Sequence, residues 1–478
     1  MPMWPLIRSQ ISRRPLFAIM AGQMLFWSIW PALFFATPPL DVVENMFWGP
    51  QWELGYYKHP PLQAWLTQLA VMIGGQSFVY VVAQACVLIT YAGIYWAGLI
   101  LQGRSLGLWA VALSALGFYA TIPTVELNAN VVSMPFWSLS LALGLRLTKH
   151  ADGWAWYGLA LSFAGALLAK YVAIFLAVTL AFLLVVAPIS RRSLQTFHPY
   201  VALMMALVIL APHFWWLWAN DFAPITYAQE RAKLMAGWDI IIRPLKFLLA
   251  QILDFILPIL ICLPAIWAGR NTQLPGWRMW LVAMGPIFFL AIYAIITLGA
   301  PKDMWGGPAT VMATLPLAYY LSHHGTNIIK TWTARAVALV MLILPLGLGL
   351  ASMASIFTDR PMRTAWPSEE MAEHILQELG AEDAKNITHL VGPTWEMGII
   401  YIHWPHDVLP VVHGDLGINP WAKESWDGGR RLYLWSGAKD PALAQLAFDL
   451  EGRFPFESKN SDGLYWGLTP AVAPGKNP

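Results

Sequence analysis

Long apolar segments recur along this chain, and they constrain its fold more than any other feature. An α-helix needs about 20 mostly apolar residues to cross the hydrocarbon core of a bilayer. Only 12% of the 478 residues are charged and 58% are hydrophobic, whereas soluble proteins carry about 25% charged residues. The sequence therefore predicts a polytopic α-helical membrane protein. We expect about eleven spans, near residues 17–36, 77–101, 106–122, 127–147, 154–169, 171–188, 199–218, 244–268, 277–298, 304–322 and 332–356.

Basic residues are distributed unequally between the loops, and this predicts the orientation, because cytoplasmic loops are enriched in Lys and Arg. With the N-terminus in the cytoplasm, the inner loops hold twelve basic residues and the short outer loops seven. An odd number of spans then puts the C-terminus outside. The inner residues are Arg8, Arg13, Arg14, Arg104, Arg146, Lys149, Arg191, Arg192, Arg270, Arg278, Lys330 and Arg335; the outer ones are Lys58, Lys170, Arg231, Lys233, Arg243, Lys246 and Lys302.

Charge and cysteine content exclude other classes of protein. A net charge of +2 without a basic stripe argues against nucleic acid as a partner. The two cysteines, Cys86 and Cys262, each lie within an apolar run, which argues against a disulfide framework or a zinc site. The first apolar run is not followed by a small-residue cleavage pattern, so we interpret it as a retained anchor.

From about residue 357 the composition becomes that of a soluble domain. We therefore expect a transmembrane domain at 1–356 and a soluble α/β domain at 357–478. Ser368 is expected to cap a helix that ends before Gly380. Strands are expected at 387–391, 398–402, 408–412 and 431–435, then a helix from Pro441 and a last strand at 464–468.

The outer loop 37–75 concentrates ionisable residues at a membrane boundary, where their desolvation is costly and their default interpretation is functional. Asp41, Glu44, Lys58 and His59 all lie in it. Glu44 would share a helix face with Asp41, three residues earlier. Residues 60–73 begin with two prolines and are too short to span, which indicates a juxtamembrane helix along the interface.

Four patches resemble a known family. Asp41, Trp48, Gly55-Tyr56 and residues 59–62 (HPPL) resemble the first outer loop of family 39 glycosyltransferases and their bacterial relatives, which include the aminoarabinose and galacturonic acid transferases that modify lipid A. The other patches are ELNANVVSMPFW (126–137), LLAKYVAIF (167–175) and PHFWWLWANDF (212–222). The resemblance implies the GT-C architecture, a polyprenyl-phosphate sugar as donor, and inversion of the anomeric centre.

The resemblance also implies roles for the acidic residues, with two departures. The family's Asp-Glu pair is here Asp41 followed by Val42, with Glu44 the nearest acid. Asn130 stands where the family usually has an Asp, and Asn cannot act as a base. Asp41 is therefore the expected general base and Glu44 the second carboxylate. We assign no metal ligands and no cofactor, and a divalent cation stays an open alternative.

The expected leaving group is a phosphate monoester, which fixed cations stabilise in a water-poor site. The candidates are Lys58, His59, Lys170, Arg243 and Lys302, and Lys170 is the strongest because it interrupts apolar sequence. Spans near 154–188 and 244–268 are expected to form a groove for the lipid tail of the donor. Contacts with the sugar or the acceptor are expected from Tyr57, Asn128, Asn130 and Asp221.

Structural interpretations stand beside these roles. Asp41 and Glu44 could cap an interfacial helix, Lys170 could snorkel to the headgroups, and Asp221 could lie in a solvated loop. His59 could hydrogen-bond its own turn, and Glu126, Asn128 and Asn130 could only begin a helix. Trp215, Trp216 and Trp218 are typical of an interfacial aromatic belt.

The sequence thus predicts a glycosyltransferase of the bacterial inner membrane with a periplasmic C-terminal domain. It would move a single sugar from a polyprenyl-phosphate carrier to a hydroxyl of lipid A, another glycolipid or an envelope glycan, rather than of a protein. The alternatives are a transporter or flippase of a lipid-linked sugar, and a polymerase or ligase that uses diphosphate-linked oligosaccharides. A transporter should show paired halves with broken helices near the midplane, and the sequence contains no such symmetry.

Overall fold

The computed structural model describes residues 14–231, 235–297, 299, 301–427, 429–439, 441, 443–458 and 461–470. Arg8, Arg13 and Lys233 of the charge distribution lie outside these residues. The chain divides into two compact units. The helical unit comprises Met1–Trp30, Leu54–Gln63 and Tyr80–Leu346; the mixed unit comprises Pro31–Glu53, Ala64–Val79 and Gly347–Pro478.

The α-helices of the described residues alternate with short 3₁₀ turns. In chain order they are α1 (Arg14–Phe34), α2 (Leu40–Trp48), α3 (Leu62–Gly74), α4 (Phe78–Leu101), α5 (Arg104–Ser114), α6 (Ala129–Leu147), α7 (Gly153–Ala169), α8 (Ile174–Val186), α9 (Pro188–Ser193), α10 (His198–Ala219), α11 (Ala223–Arg231), α12 (Asp239–Leu253), α13 (Ile256–Ala268), α14 (Trp277–Ile296), α15 (Gly306–Ala309), α16 (Thr314–His324), α17 (Asn327–Ser355), α18 (Ser368–Lys385) and α19 (Thr394–Tyr401).

Five of these helices, α1, α4, α10, α14 and α17, are long and apolar enough to cross a membrane. Two bent pairs raise the number to seven: α5 with Phe118–Val125, at 87°, and α12 with α13, at 75°. The expected count of eleven is therefore not confirmed among the described residues. The segments near 154–169 and 171–188 are helical but shorter than the length a span needs, and the segment near 304–322 is interrupted between α15 and α16.

Small residues allow the helices of the helical unit to pack closely, as is usual between membrane helices. A Cβ added to Gly165 of α7 would lie 2.4 Å from the Phe136 ring of α6. The same two helices share a hydrogen bond from Ser140 Oγ to Ser162 Oγ, at 2.9 Å. The core of this unit is thus built by close helix contacts and buried hydroxyl pairs.

The mixed unit contains a five-stranded sheet in the order β2-β1-β3-β5-β4. Its strands are β1 (Ile387–Gly392), β2 (Leu409–Val412), β3 (Arg430–Ser436), β4 (Leu450–Ser458) and β5 (Ser461–Leu468). β1 pairs in parallel with β2 and β3, while β5 pairs antiparallel with β3 and β4. The small C-terminal α/β module and four of its expected strands, β1, β2, β3 and β5, are as the sequence predicts.

Three details of this module differ from expectation. Residues 398–402 lie in and just after α19, because parallel β1 and β2 need a crossover, and a short buried apolar run does not distinguish strand from helix. The helix expected from Pro441 is a 3₁₀ turn, Leu443–Gln445, followed by β4. Ser368 does not cap α18: Pro367 holds that position, and Ser368 Oγ instead bonds Thr37 Oγ1 and His403 Nε2.

The two helices of the first outer loop pack within the mixed unit. α2 and α3 follow Pro39 and Pro61, which suits proline at helix starts. A Cβ on Gly398 of α19 would lie 2.6 Å from Val43 of α2, and Gln76 Nε2 donates to Ile402 O at 3.0 Å. The compact unit that contains the C-terminal module therefore also contains most of the outer loop, whereas the expected boundary at residue 356 assigns them to different domains.

The orientation in the membrane can be tested by labelling single cysteines in a background where buried Cys86 and Cys262 are replaced by Ala. Pro50→Cys in the outer loop and Glu382→Cys in the C-terminal module occupy exposed positions. Both should react with a membrane-impermeant maleimide in intact spheroplasts, because positive-inside orientation puts them outside. Exposed Asn271→Cys, between α13 and α14, is the control and should react only after lysis. The opposite pattern would place the chemistry in the cytoplasm.

Candidate functional site

Lys170 lies where α7 stops and the chain becomes extended before a 3₁₀ turn, Tyr171–Ala173. Its side chain is only 6% exposed. The Lys170 ammonium donates a hydrogen bond to Asn130 Oδ1. A buried lysine held in this way does not extend to the surface, as the snorkelling interpretation requires.

The asparagines of the second patch have separate tasks. Asn128 caps α6, since its Oδ1 accepts from Asn130 N at 3.0 Å and from Val131 N at 3.2 Å. Its Nδ2 donates to Glu126 Oε2 at 3.3 Å. Asn130 turns its amide oxygen to Lys170. Asn128 thus caps α6, while Asn130 joins a polar group made of Glu126, Asn128 and Lys170.

The loop from Leu54 to His59 is fixed to α10 by a histidine. His213 Nδ1 lies 2.7 Å from Leu54 O, and Nε2 lies 3.1 Å from the Tyr171 hydroxyl. A carbonyl only accepts, so Nδ1 carries the proton and the Tyr171 hydroxyl donates to Nε2. Gly55 packs against the Trp216 ring, where a Cβ would lie 2.4 Å from the ring edge. The loop is therefore tied to the residue that follows Lys170.

Lys58 projects from a tight turn in this loop. Tyr56 N donates to His59 O at 3.0 Å, and His59 N donates to Tyr56 O at 3.2 Å. The Lys58 ammonium lies 5.0 Å from the Tyr57 ring centroid and 5.9 Å from that of Tyr227 on α11. These cation–π contacts hold a partly exposed cation in place. Tyr57, expected to touch sugar or acceptor, packs beside Lys58, and His59 lies in the same turn.

Arg243, Lys302 and Asp221 are all at least partly exposed. Arg243 forms an ion pair at 2.9 Å with Asp239, one turn earlier on α12. Lys302 is partly exposed and precedes the 3₁₀ turn Asp303–Trp305. Asp221 is exposed in a left-handed turn after α10, which favours the solvated-loop interpretation.

The tryptophans of the fourth patch divide into two groups. Trp215 and Trp218 are exposed, as an interfacial belt would be, but Trp216 is buried. The structure therefore corrects the belt interpretation for Trp216, because this ring packs on Gly55 of the loop.

Asp41 and Glu44 both lie on α2, within the mixed unit. Asp41 is partly exposed in the first turn, and Glu44 is buried one turn later. Because the two are separated by three residues, their side chains project from the same side of the helix. An accessible carboxylate with a buried neighbour suits a base supported by a second acid.

Within the described residues, no group of three or more His, Cys, Asp or Glu side chains is arranged to hold a metal ion. His403 shares a hydrogen bond with Ser368 Oγ, and burial lowers the pKa of its imidazole. His389 lies between the Thr388 and Ser425 hydroxyls. Burial, together with the Arg431 guanidinium, lowers the pKa of His389 to about 4. Both histidines thus serve the packing of the C-terminal module.

An apolar cavity of about 220 Å³ lies between α7, α8 and α10. Its walls include Trp156 and Phe163 of α7, Leu180 and Leu184 of α8, and Ala202 and Ala206 of α10. Two of its walls, α7 and α8, come from the segment 154–188 that the sequence predicts as one side of a groove for the lipid tail. The third wall is α10, and residues 244–268 do not line this cavity.

Comparisons with known proteins agree with this architecture. The sequence profile of dolichyl-phosphate-mannose-protein mannosyltransferases matches residues 58–216. Lipid A galacturonosyltransferase RgtD of Rhizobium johnstonii is 25% identical over 300 residues, which are 59% of this chain and 60% of RgtD.

Solved structures extend the likeness to almost the whole chain. ArnT from Cupriavidus metallidurans in the apo state has a TM-score of 0.66 at 14% identity, over 96% of this chain and 99% of ArnT. ArnT bound to undecaprenyl phosphate gives 0.67 at 14% identity, over 97% and 100%. The resemblance to aminoarabinose-transferase-like glycosyltransferases is therefore confirmed, and the fold is that of the ArnT structures.

His213, Tyr171 and Tyr227 were not among the residues expected from the sequence. His213 and Tyr171 lie inside the quoted patches, and a histidine in a long apolar helix is itself a signal of function. Tyr227 lies on α11, in a segment without a recognisable motif. Their partners are distant in sequence, so the pattern alone does not pair them.

His213→Phe keeps a ring in place but removes both hydrogen bonds, leaving Leu54 O without its donor. Such a loss costs about 1–3 kcal/mol locally, so backbone amides of residues 54–59 should exchange faster. Hydrogen-exchange mass spectrometry of the protein in nanodiscs measures this. His198→Phe is the matched control, because it removes the comparable bond between Tyr157 and His198 elsewhere on α7 and α10. Equal protection of residues 54–59 in both variants would contradict the anchoring role of His213.

Proposed function

We propose that this protein is an inverting glycosyltransferase that moves one sugar from a polyprenyl-phosphate carrier to a hydroxyl of a cell-envelope acceptor, with lipid A preferred. The observation that carries the proposal is the buried Lys170 ammonium on Asn130, next to the Tyr171–His213 contact that holds the Lys58 loop. One buried and one accessible cation are thereby held on a common scaffold. Residues 58–216, which include both lysines, match the sequence profile of dolichyl-phosphate-mannose-protein mannosyltransferases. This match supports a phosphate-linked sugar as the ligand of the two cations.

Lys170 suits a phosphate because its position is fixed before the donor arrives. The Asn130 amide oxygen orients the ammonium, and a phosphate oxygen accepts a charge-assisted hydrogen bond from such a group. Negative charge grows on the phosphate as the bond to the sugar breaks, and preorganised cations stabilise that change. Lys58, which is partly exposed, would meet the same phosphate from the aqueous side, with His59 in the same turn.

Asp41 is the proposed general base. The acceptor oxygen attacks the anomeric carbon opposite the phosphate, the bond from that carbon to the phosphate oxygen breaks, and polyprenyl phosphate leaves with the electron pair. The proton of the acceptor hydroxyl passes to the Asp41 carboxylate. General base catalysis of this kind typically raises the reaction rate by about 10²–10⁴-fold. Partial exposure lets an acceptor approach Asp41, while buried Glu44 supports it from the same helix.

Part of the lipid tail of the donor would lie in the apolar cavity between α7, α8 and α10. Phe163 in its wall precedes Lys170 by seven residues, which is about 10 Å along the helix axis. A tail in this cavity would leave its phosphate near the end of α7, where Lys170 lies. Asn128 and Asn130 at the start of α6 would then face the sugar, and the assignment includes no metal ion.

Lipid A as acceptor is supported by RgtD, which is described as a lipid A galacturonosyltransferase. The proposed location is the bacterial inner membrane, with the N-terminus in the cytoplasm. Residues 1–356 would form the transmembrane catalytic domain and residues 357–478 the periplasmic domain. The loop 37–75 would then work at the periplasmic face, where such acceptors pass.

Mass analysis of envelope glycolipids from cells with and without the protein tests the function directly. Purified protein with a polyprenyl-phosphate sugar and extracted lipid A should yield the same product. If lipid A gains no sugar in either assay while another glycolipid or glycan is modified, that molecule is the acceptor and the assignment of lipid A is wrong. Unmodified acceptors of every kind together with an intact donor would overturn the function.

Asp41→Asn should abolish transfer while the protein folds and binds donor, since the change removes the base and little volume. A loss of about 10²–10⁴-fold in turnover is expected. Glu44→Gln, on the same helix, is the comparison and should reduce turnover less. Turnover is measured with purified protein, and thermal unfolding checks the fold. An active Asp41→Asn beside an inactive Glu44→Gln would exchange the two roles.

Lys170→Ala should weaken donor binding and slow cleavage of the bond between the sugar and the lipid phosphate. Removing one member of a buried charged contact costs about 2–5 kcal/mol. Lys330→Ala is the control: this lysine, which donates to Ser322 O on the expected inner side, should leave both quantities unchanged. The measurement is a titration of polyprenyl-phosphate sugar against each variant in nanodiscs. Wild-type affinity in Lys170→Ala would remove its contact with phosphate.

A further inference from the structure

The segment Phe118–Val125 of the helical unit leaves the α-helical path. It forms two 3₁₀ turns, Phe118–Ala120 and Ile122–Val125, at 87° to α5. Irregular backbone in a membrane protein is tolerated only where other groups satisfy its freed carbonyls. The segment leads directly to Glu126, Asn128 and Asn130, so its geometry sets where that polar group begins.

Two buried glutamines from different helices supply the missing donors. Gln84 of α4 donates through Nε2 to Thr124 O at 3.0 Å and lies 3.3 Å from Thr124 Oγ1. Gln23 of α1 donates through Nε2 to Ala120 O at 3.1 Å. Both side chains have no exposed surface. Each 3₁₀ turn is thus fixed by one amide.

The two amides are also joined to each other. Gln23 Nε2 donates to Gln84 Oε1 at 2.9 Å, and the Tyr91 hydroxyl donates to Gln23 Oε1 at 3.2 Å. Each amide therefore uses both its oxygen and its nitrogen. A buried amide without partners is costly, whereas a fully bonded network specifies one arrangement. Leucine or methionine would fill the same space, but neither would hold the carbonyls of the segment.

We propose that Gln84, oriented by Gln23, is a positioning residue that sets Asn130 and, through it, Lys170 for the donor phosphate. The path runs from Gln84 to Thr124, along residues 124–128 to the cap of α6, and then to Asn130 and Lys170. The inference rests on the proposed function, since it assigns the scaffold of that site. Removing the amide leaves Thr124 O without its donor and releases the start of α6.

The test titrates undecaprenyl phosphate against protein in nanodiscs. Gln84→Met should weaken binding roughly tenfold and raise hydrogen exchange across residues 118–130. Thr90→Val is the matched control, because Thr90 is a buried polar residue of the same helix that bonds only its own turn, at Cys86 O. It should change neither quantity. Should Gln84→Met fail to fold, Gln23→Met removes the donor to Ala120 O and provides the second variant.

A double-mutant cycle separates positioning from general stability. If Gln84 acts through Lys170, Gln84→Met should weaken binding little further in a Lys170→Ala background. Full additivity of the two effects, or wild-type affinity in Gln84→Met, would overturn the inference. The wild type is measured first: if it binds no undecaprenyl phosphate, the proposed function fails. If the wild type binds undecaprenyl phosphate but Gln84→Met leaves hydrogen exchange over residues 118–130 unchanged, only the positioning role is refuted.

Discussion

Backbone groups freed at helix breaks must find partners inside the protein, and the site depends on how this chain meets that constraint. Where α7 stops at Ala169, Lys170 takes an extended conformation and its side chain turns to Asn130. At the bend after α5, two glutamines bond the irregular segment. At both of these breaks a buried polar side chain therefore lies beside the irregular backbone.

The pattern of apolar residues predicts most helices and strands of this fold but not the number of membrane spans. Apolar runs identify most of the helices, and alternating runs identify β1, β2, β3 and β5. The run at 398–402 is wrong as a strand because burial on all sides removes the periodic signal. Similarly, PALAQLAFDL (441–450) has good helix formers, yet it contains the 3₁₀ turn Leu443–Gln445 and its last residue begins β4, so tertiary context overrides propensity.

The candidate site was predictable where charge contrasts with its surroundings. Lys170 and Asn130 stand out in apolar sequence, and the structure joins them. His213, Gln23 and Gln84 are equally polar and more deeply placed in helices, but their partners are carbonyls of distant segments. Carbonyls occur at every residue, so the sequence carries no mark of which one is bonded. Such contacts require the fold before they can be recognised.

The partition of the outer loop has a chemical consequence. Asp41 and Glu44 lie on α2 in the mixed unit, while Lys58 lies in the segment Leu54–Gln63 of the helical unit. The division falls between Glu53 and Leu54, and Leu54 is the residue that His213 holds. Within the helical unit, His213 thus holds the first residue of the segment Leu54–Gln63 through a neutral hydrogen bond rather than an ion pair. This anchor is therefore less sensitive to salt than an ion pair would be.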